Sequence, residues 1–129
     1  MRFKVKIRPS DKLWTEYIRL RDNNICCKCG KVIESKYNSG VSHFYNRSKE
    51  STRYDDENCD LMCNIPCHQE WEHEKKEGRE YYEYKLKQLG QKKFDLLTLR
   101  ANTTGKRDDK LNKIIIQEKI KQLEEKASK

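Results

Sequence analysis

The sequence predicts an α+β fold, a small hairpin-and-helix core cross-linked through cysteines, with a strand and a helix ahead of it and further helices behind. Three observations carry that reading. Apolar residues make up 34% of 129 positions and charged residues 39%, with a mean hydropathy of −1.17, so a chain of 15.6 kDa has little apolar material for a core. Six cysteines fall in two groups, at 26–29 and 59–67, and can supply the cross-links that a thin core lacks. Short strand-like segments at 2–8, 41–45 and 59–62 stand beside helical spacing over 11–23 and from about residue 65 onward.

Residues 2–8 alternate, with Phe3, Val5 and Ile7 on one face and Lys4, Lys6 and Arg8 on the other, which predicts a strand. Pro9-Ser10-Asp11 stops it and caps a helix over 11–23, with Leu13, Tyr17 and Leu20 on one face and Trp14 and Ile18 beside them. Asn23-Asn24 ends that helix, and a cysteine-rich turn, Ile25–Lys31, follows. After a loop-like 36–40, Val41–Tyr45 reads as a short strand and Cys59–Met62 as its hairpin partner. Between them Asn46–Asn58 holds almost nothing apolar and reads as a surface loop. Ile65–Gly78 and Arg79–Leu89 follow a helical pattern, the second ended by Gly90, and a short helix is expected near 91–99. Asn102–Asp108 is a polar linker. The last segment, Asp109–Lys126, sets Ile116, Ile120 and Leu123 at helical spacing, so an amphipathic helix either closes the core or meets a second copy in a homodimer. The organisation expected is a domain over 1–104 and a C-terminal helix over 105–129.

The net charge of +8 is unevenly placed. Residues 1–54 hold 13 Lys/Arg against 5 Asp/Glu, whereas 55–129 hold 16 of each. A basic half on a small protein suits a polyanion partner such as nucleic acid; the plainer reading is a solvated lysine-rich surface. No apolar run approaches the ~18 residues that a membrane span needs. The basic-apolar alternation of residues 1–8 does not resemble a secretory segment, so a reducing, cytoplasmic setting is expected. There, clustered cysteines bind metal more often than they form disulfides.

Cys26-x2-Cys29 followed by Gly30-Lys31 is a zinc-knuckle half-site, because two thiolates at that spacing reach one Zn²⁺ around a glycine turn. Cys27 could replace Cys26, although the two-residue spacing is the commoner geometry. The second half-site must come from Cys59, Cys63 and Cys67, and Cys63-x3-Cys67 is the natural pair since Cys59 sits on the expected strand. Four sulfurs leave no open position for substrate, so this zinc is structural. It would contribute folding free energy on the order of 10 kcal/mol.

The histidines bracket these cysteines: His43 on a strand, His68 directly after Cys67, and His73 five residues on. With Asn58 between, the order Cys-x2-Cys, His43, Asn58, Cys63-x3-Cys67-His68 resembles the His-Asn-His (HNH) nucleases of the ββα-metal fold. Tyr17–Asp22, Cys26–Gly30, Ser42-His-Phe44, Arg53–Asn58, Leu89-Gly90 and Leu99–Thr103 look more specifically like the NinG/Rap recombination nucleases of phages, over about residues 12–104.

The resemblance implies a metal-dependent DNA endonuclease acting in recombination on branched DNA, such as Holliday junctions or D-loops. His43 would be the general base that activates water, Asn58 would brace the loop and orient it, and His68 would bind Mg²⁺ or Mn²⁺. Glu72, one turn on from His68, is the preferred second ligand because a carboxylate suits a hard cation, with His73 in reserve. Ser42 departs from the many HNH enzymes that carry an acid or a histidine before the base. Arg47, Lys49 and Arg53 are candidate phosphate contacts, and Tyr81, Tyr82 and Tyr84 beside Trp71 read as core before base-stacking surface. His68 has a second reading as a zinc ligand. A non-catalytic zinc-knuckle DNA-binding or recombination accessory protein is the alternative function. A zinc deaminase is excluded, since its His-x-Glu and Pro-Cys-x-x-Cys signature is absent.

Overall fold

The computed structural model describes residues 6–74 and 79–127, with the side chains of 72–74 outside the described set. The strand expected over 2–8 therefore lies mostly outside the described residues, and residues 6–8 are irregular. Helix α1 spans Pro9–Arg21 and begins two residues earlier than expected. Proline fits the first helical position, where an amide would be unbonded anyway, and the Arg8 amide donates to Asp11 Oδ2 at 2.7 Å. Its buried face is Trp14, Tyr17 and Ile18, extended by Ser10 and Asp11. Leu20, expected on that face, is 42% exposed, so the stripe is rotated by about one residue. Asn23 and Asn24 both adopt positive φ, which asparagine tolerates, and turn the chain into the knuckle.

A 3-10 turn over Lys36–Asn38 leads into β1, Ser39–His43, which pairs antiparallel with β2, Cys59–Cys63, placing Ser39 opposite Cys63 and His43 opposite Cys59. The ladder ends at His43 instead of Tyr45 because Asn58 takes over the pairing: Phe44 N donates to Asn58 O at 2.9 Å, and Tyr45 N to Asn58 Oδ1 at 2.8 Å. Two strands alone are marginal, and β2 is buried throughout. Its outer edge is closed by other elements: Cys27 N donates to Leu61 O at 2.9 Å, Leu61 N to Asp22 Oδ2 at 3.1 Å, and Arg21 to Cys59 O at 2.7 Å.

The expected helix from Ile65 to Gly78 is replaced by a wide turn, Asn64–His68, and a short α2, Gln69–Glu74; residues 75–78 lie outside the described set. Ile65 is extended (φ −126°, ψ 123°), as expected of the residue before a proline. Then α3, Glu80–Leu89, and α4, Gln91–Ala101, follow as the pattern predicts. Helix α5, Asp109–Ala127, packs on α1, where Ile116 and Ile120 join a core with Trp14 and Tyr17. Lys119 Nζ ties it down, 2.6 Å from Asp56 and over the rings of Trp14 and Tyr17 at 5.4 and 5.5 Å. An aromatic cluster on the far side joins Trp71, stacked on Tyr81 at 4.4 Å, with Phe44, so Tyr81 is core as expected, while Tyr82 is 46% exposed. No described helix is long and apolar enough to cross a membrane.

Candidate functional site

The knuckle is built by backbone bonds around its sulfurs. Ile25 and Val32 form an antiparallel bridge, Cys26 N donates to Lys31 O at 3.0 Å, and Gly30 N to Cys26 O at 2.9 Å. Gly30 takes φ +74°, a conformation that a side chain disfavours, which lets the turn close. Cys29 N then points at Cys26 Sγ, 3.5 Å away. The end of β2 and the wide turn after it bring Cys63 and Cys67 opposite. All four Sγ atoms of Cys26, Cys29, Cys63 and Cys67 lie within 4.8 Å of one another. Zn–S bonds of about 2.3 Å give a tetrahedron with S–S edges near ~3.8 Å, so this donor set can hold a zinc ion.

The chemistry of these thiols agrees with their geometry. Burial raises the Cys26 thiol, but backbone amides of Cys29, Cys63 and Lys28 outweigh it and bring it down to about 7, close to a ready thiolate. Burial and the neighbouring thiols push Cys67 up, since four anions cannot share so small a space without a cation. Cys26, not Cys27, belongs to the cluster: the Cys27 thiol lies outside it, raised by burial and by the charge of Asp60. Cys59 is also outside, fully buried and pushed up to about 12, with Sγ 3.8 Å from Arg53 O.

A cavity of about 440 Å³ opens between α1, the hairpin and the wide turn, and His43 and His68 both line it. Arg47, Asn64, Asp11 and Gly40 contribute further to its walls. His43 Nε2 is 2.9 Å from the carbonyl of Arg53. A carbonyl only accepts, so Nε2 carries the proton and Nδ1 is the basic nitrogen of the ring. Asn58 holds the loop that supplies this carbonyl. Fully buried, it accepts from Tyr45 N and donates to Tyr45 O and Thr52 O, both at 3.0 Å.

His68 and Asn64 both come close to Gly40 of β1. A Cβ on Gly40 would stand within 2.2 Å of Asn64 Oδ1 and 3.5 Å from His68 Nδ1. A side chain here would displace the Asn64 amide from the strand. Ser42 is fully buried and faces away from the cavity, as strand alternation requires for the neighbour of His43. The backbones of Glu72 and His73 lie in α2, and their side chains fall outside the described residues.

The three expected phosphate contacts separate. Arg47 lines the cavity and Lys49 is exposed. Arg53, by contrast, is 1% exposed and bound to Asp11, at 2.9 Å through Nε and 2.5 Å through Nη2, and to the carbonyls of Arg47 and Lys6 at 3.1 Å. Its charge is committed to holding the loop, so it corrects the expectation of a phosphate contact. The loop over 46–58 is accordingly less of a surface element than its composition suggests, since Thr52, Arg53 and Asn58 are all buried.

Sequence reasoning missed Asp11 as the loop's anchor, and Gly40 and Asn64 as cavity walls. It also missed a buried pair, Lys85 Nζ to Asp60 Oδ2 at 2.7 Å, which fastens α3 to β2 with help from Gln88. Asp11 carried a local signal as a first-turn acid, but none for its partner 42 residues away.

Over residues 4–127 the chain matches the family described as bacteriophage lambda NinG protein. It belongs to that family. No curated protein and no solved structure matches it. The NinG match takes in the four-thiol cluster, both cavity histidines and all of the described residues, α5 included.

Proposed function

We propose that this NinG-family protein is an HNH-type DNA endonuclease, dependent on a divalent cation and acting on branched DNA in phage recombination. The observation that carries the reading is that His43 and His68, 25 positions apart in sequence, line one cavity. In this account His43 Nδ1 takes the proton of the attacking water, a role that its Nε2 bond to the Arg53 carbonyl prepares by fixing the tautomer and the ring. Asn58 acts as a positioning residue through the loop it clamps.

His68, with Asn64 beside it and Glu72 or His73 following on α2, would hold Mg²⁺ or Mn²⁺; one imidazole among oxygen donors fits a partly hydrated hard cation. When bound, that cation neutralises charge on the scissile phosphate and the leaving oxygen. The zinc thiolates would set the position of His68, which follows Cys67 directly. Arg47 on the cavity wall, with Lys49 outside it, offers charge to the flanking phosphates. The branched-DNA and recombination parts rest on the resemblance to phage NinG/Rap nucleases.

The test is nicking of supercoiled plasmid and of a four-way junction with Mg²⁺ or Mn²⁺, wild type against His43→Ala. Loss of a general base removes about 10²–10⁴ in rate. The expected result is loss of cleavage with DNA binding and zinc content retained. Equal cleavage by both proteins removes His43 from the mechanism, whereas no cleavage by wild type with either metal favours the non-catalytic accessory reading.

A further inference from the structure

Tyr37 is 85% exposed, the most exposed of the large hydrophobic side chains described. It does not sit on a loose loop. Tyr37 N donates to Ser35 Oγ at 3.2 Å, Ile65 N donates to Asn38 Oδ1 at 3.1 Å, and longer 3.4 Å bonds run from Asn38 Nδ2 to Ile65 O and from Asn64 Nδ2 to Tyr37 O. A turn fixed at four points thus holds an aromatic ring in water, which packing alone does not account for. Val32 and Ile65, 64% and 63% exposed, line a shallow groove with Asn38, the residue after Tyr37, and Pro66.

The charge nearby is mixed but favours cations: Lys31 lines that groove along with Glu34, and Lys36 Nζ stands 5.5 Å over the Tyr37 ring. Rigid apolar faces beside ammonium groups, in the half of the chain that carries all the excess positive charge, match nucleobases strung on phosphates. The position matters as well. Ser39, two residues after Tyr37, and Asn64, bonded to the Tyr37 carbonyl, are both walls of the His43–His68 cavity. The Tyr37 backbone is thus one hydrogen bond away from the cavity wall. A base inside a duplex has both faces covered, so only an unpaired or splayed base can stack there.

We propose that Tyr37, next to Asn38 on the rim of that groove, is a stacking platform for an unpaired nucleobase near the reacting phosphate, and that it sets the preference for branched over duplex DNA. The preference depends on the nuclease reading above, whereas the stacking is a binding property that stands apart from it. The experiment uses the zinc-loaded full chain and four-way junctions carrying 2-aminopurine at the branch point, with Ca²⁺ in place of Mg²⁺ to hold off cleavage. Wild type and Tyr37→Phe should quench the base fluorescence. Tyr37→Ala should not, and should bind the junction about tenfold more weakly, at unchanged affinity for linear duplex. With Mg²⁺, the same variant should lose its junction-over-duplex cleavage ratio and keep its duplex nicking. Quenching without cleavage by wild type supports the platform while removing the nuclease. Quenching and junction affinity unaltered in Tyr37→Ala overturn the platform, and would leave the patch as a protein-docking face.

Discussion

Arg53 and Asp11 show how one residue type can serve opposite ends. An arginine in a polar loop suggests a phosphate contact, yet here the guanidinium is buried and bidentate on a carboxylate from α1. Nothing in the local sequence separates the two cases, because the partner is 42 residues away. The cysteines were legible for the opposite reason: metal ligation imposes spacing, and spacing is written locally. Removing one member of a buried pair strands the other charge, so Arg53→Met should cost about 3–5 kcal/mol in urea unfolding, and Lys85→Met a similar amount through Asp60. The pair also sets a pH dependence. Burial alone would raise the Asp11 carboxyl, but bonds from Arg53, the Arg8 amide and Tyr54 outweigh it and hold it below the ordinary value. A depressed folded-state value adds stability above the unfolded value of about 4 and loses it as pH falls through the folded one. The urea midpoint should therefore drop below pH 4, and the slope should be shallower in Asp11→Asn.

At the scale of elements, periodicity located every helix after residue 79 but misplaced details where side chains replaced backbone. The α1 stripe is rotated from Leu20 toward Trp14 and Ile18 because Asp11 and Arg21 turn inward to bond the 53–59 segment. Strand β1 stops short because the Asn58 amide mimics a strand partner, and the helix expected from Ile65 breaks on Pro66. Helix α5 was legible as amphipathic but not as to its partner, which is α1. Ile116 is 1% exposed there, so Ile116→Ala should destabilise the fold by about 2–5 kcal/mol. Leu111→Ala, at 51% exposure, should change it by less than about 0.5 kcal/mol. Equal effects at the two sites would mean that the helix is oriented otherwise.

For the whole molecule, the thin apolar composition and the sulfur cluster are two sides of one design. The cluster joins the knuckle after α1 to the turn before α2, while His43 ends β1 and His68 directly follows Cys67. Zinc removal should therefore unfold more than the knuckle. A strong chelator is expected to abolish the cooperative thermal transition, and Cys63→Ser should do the same, whereas Cys59→Ser should keep the metal. The most direct measurement is a crystal structure of the zinc-loaded protein soaked in Mn²⁺, with anomalous scattering recorded for both metals. Zinc bonded to Cys26, Cys29, Cys63 and Cys67, and manganese bonded to His68 on the cavity side facing His43, is the predicted result. Manganese absent from His68, or a His43 ring directed away from it, would contradict the account.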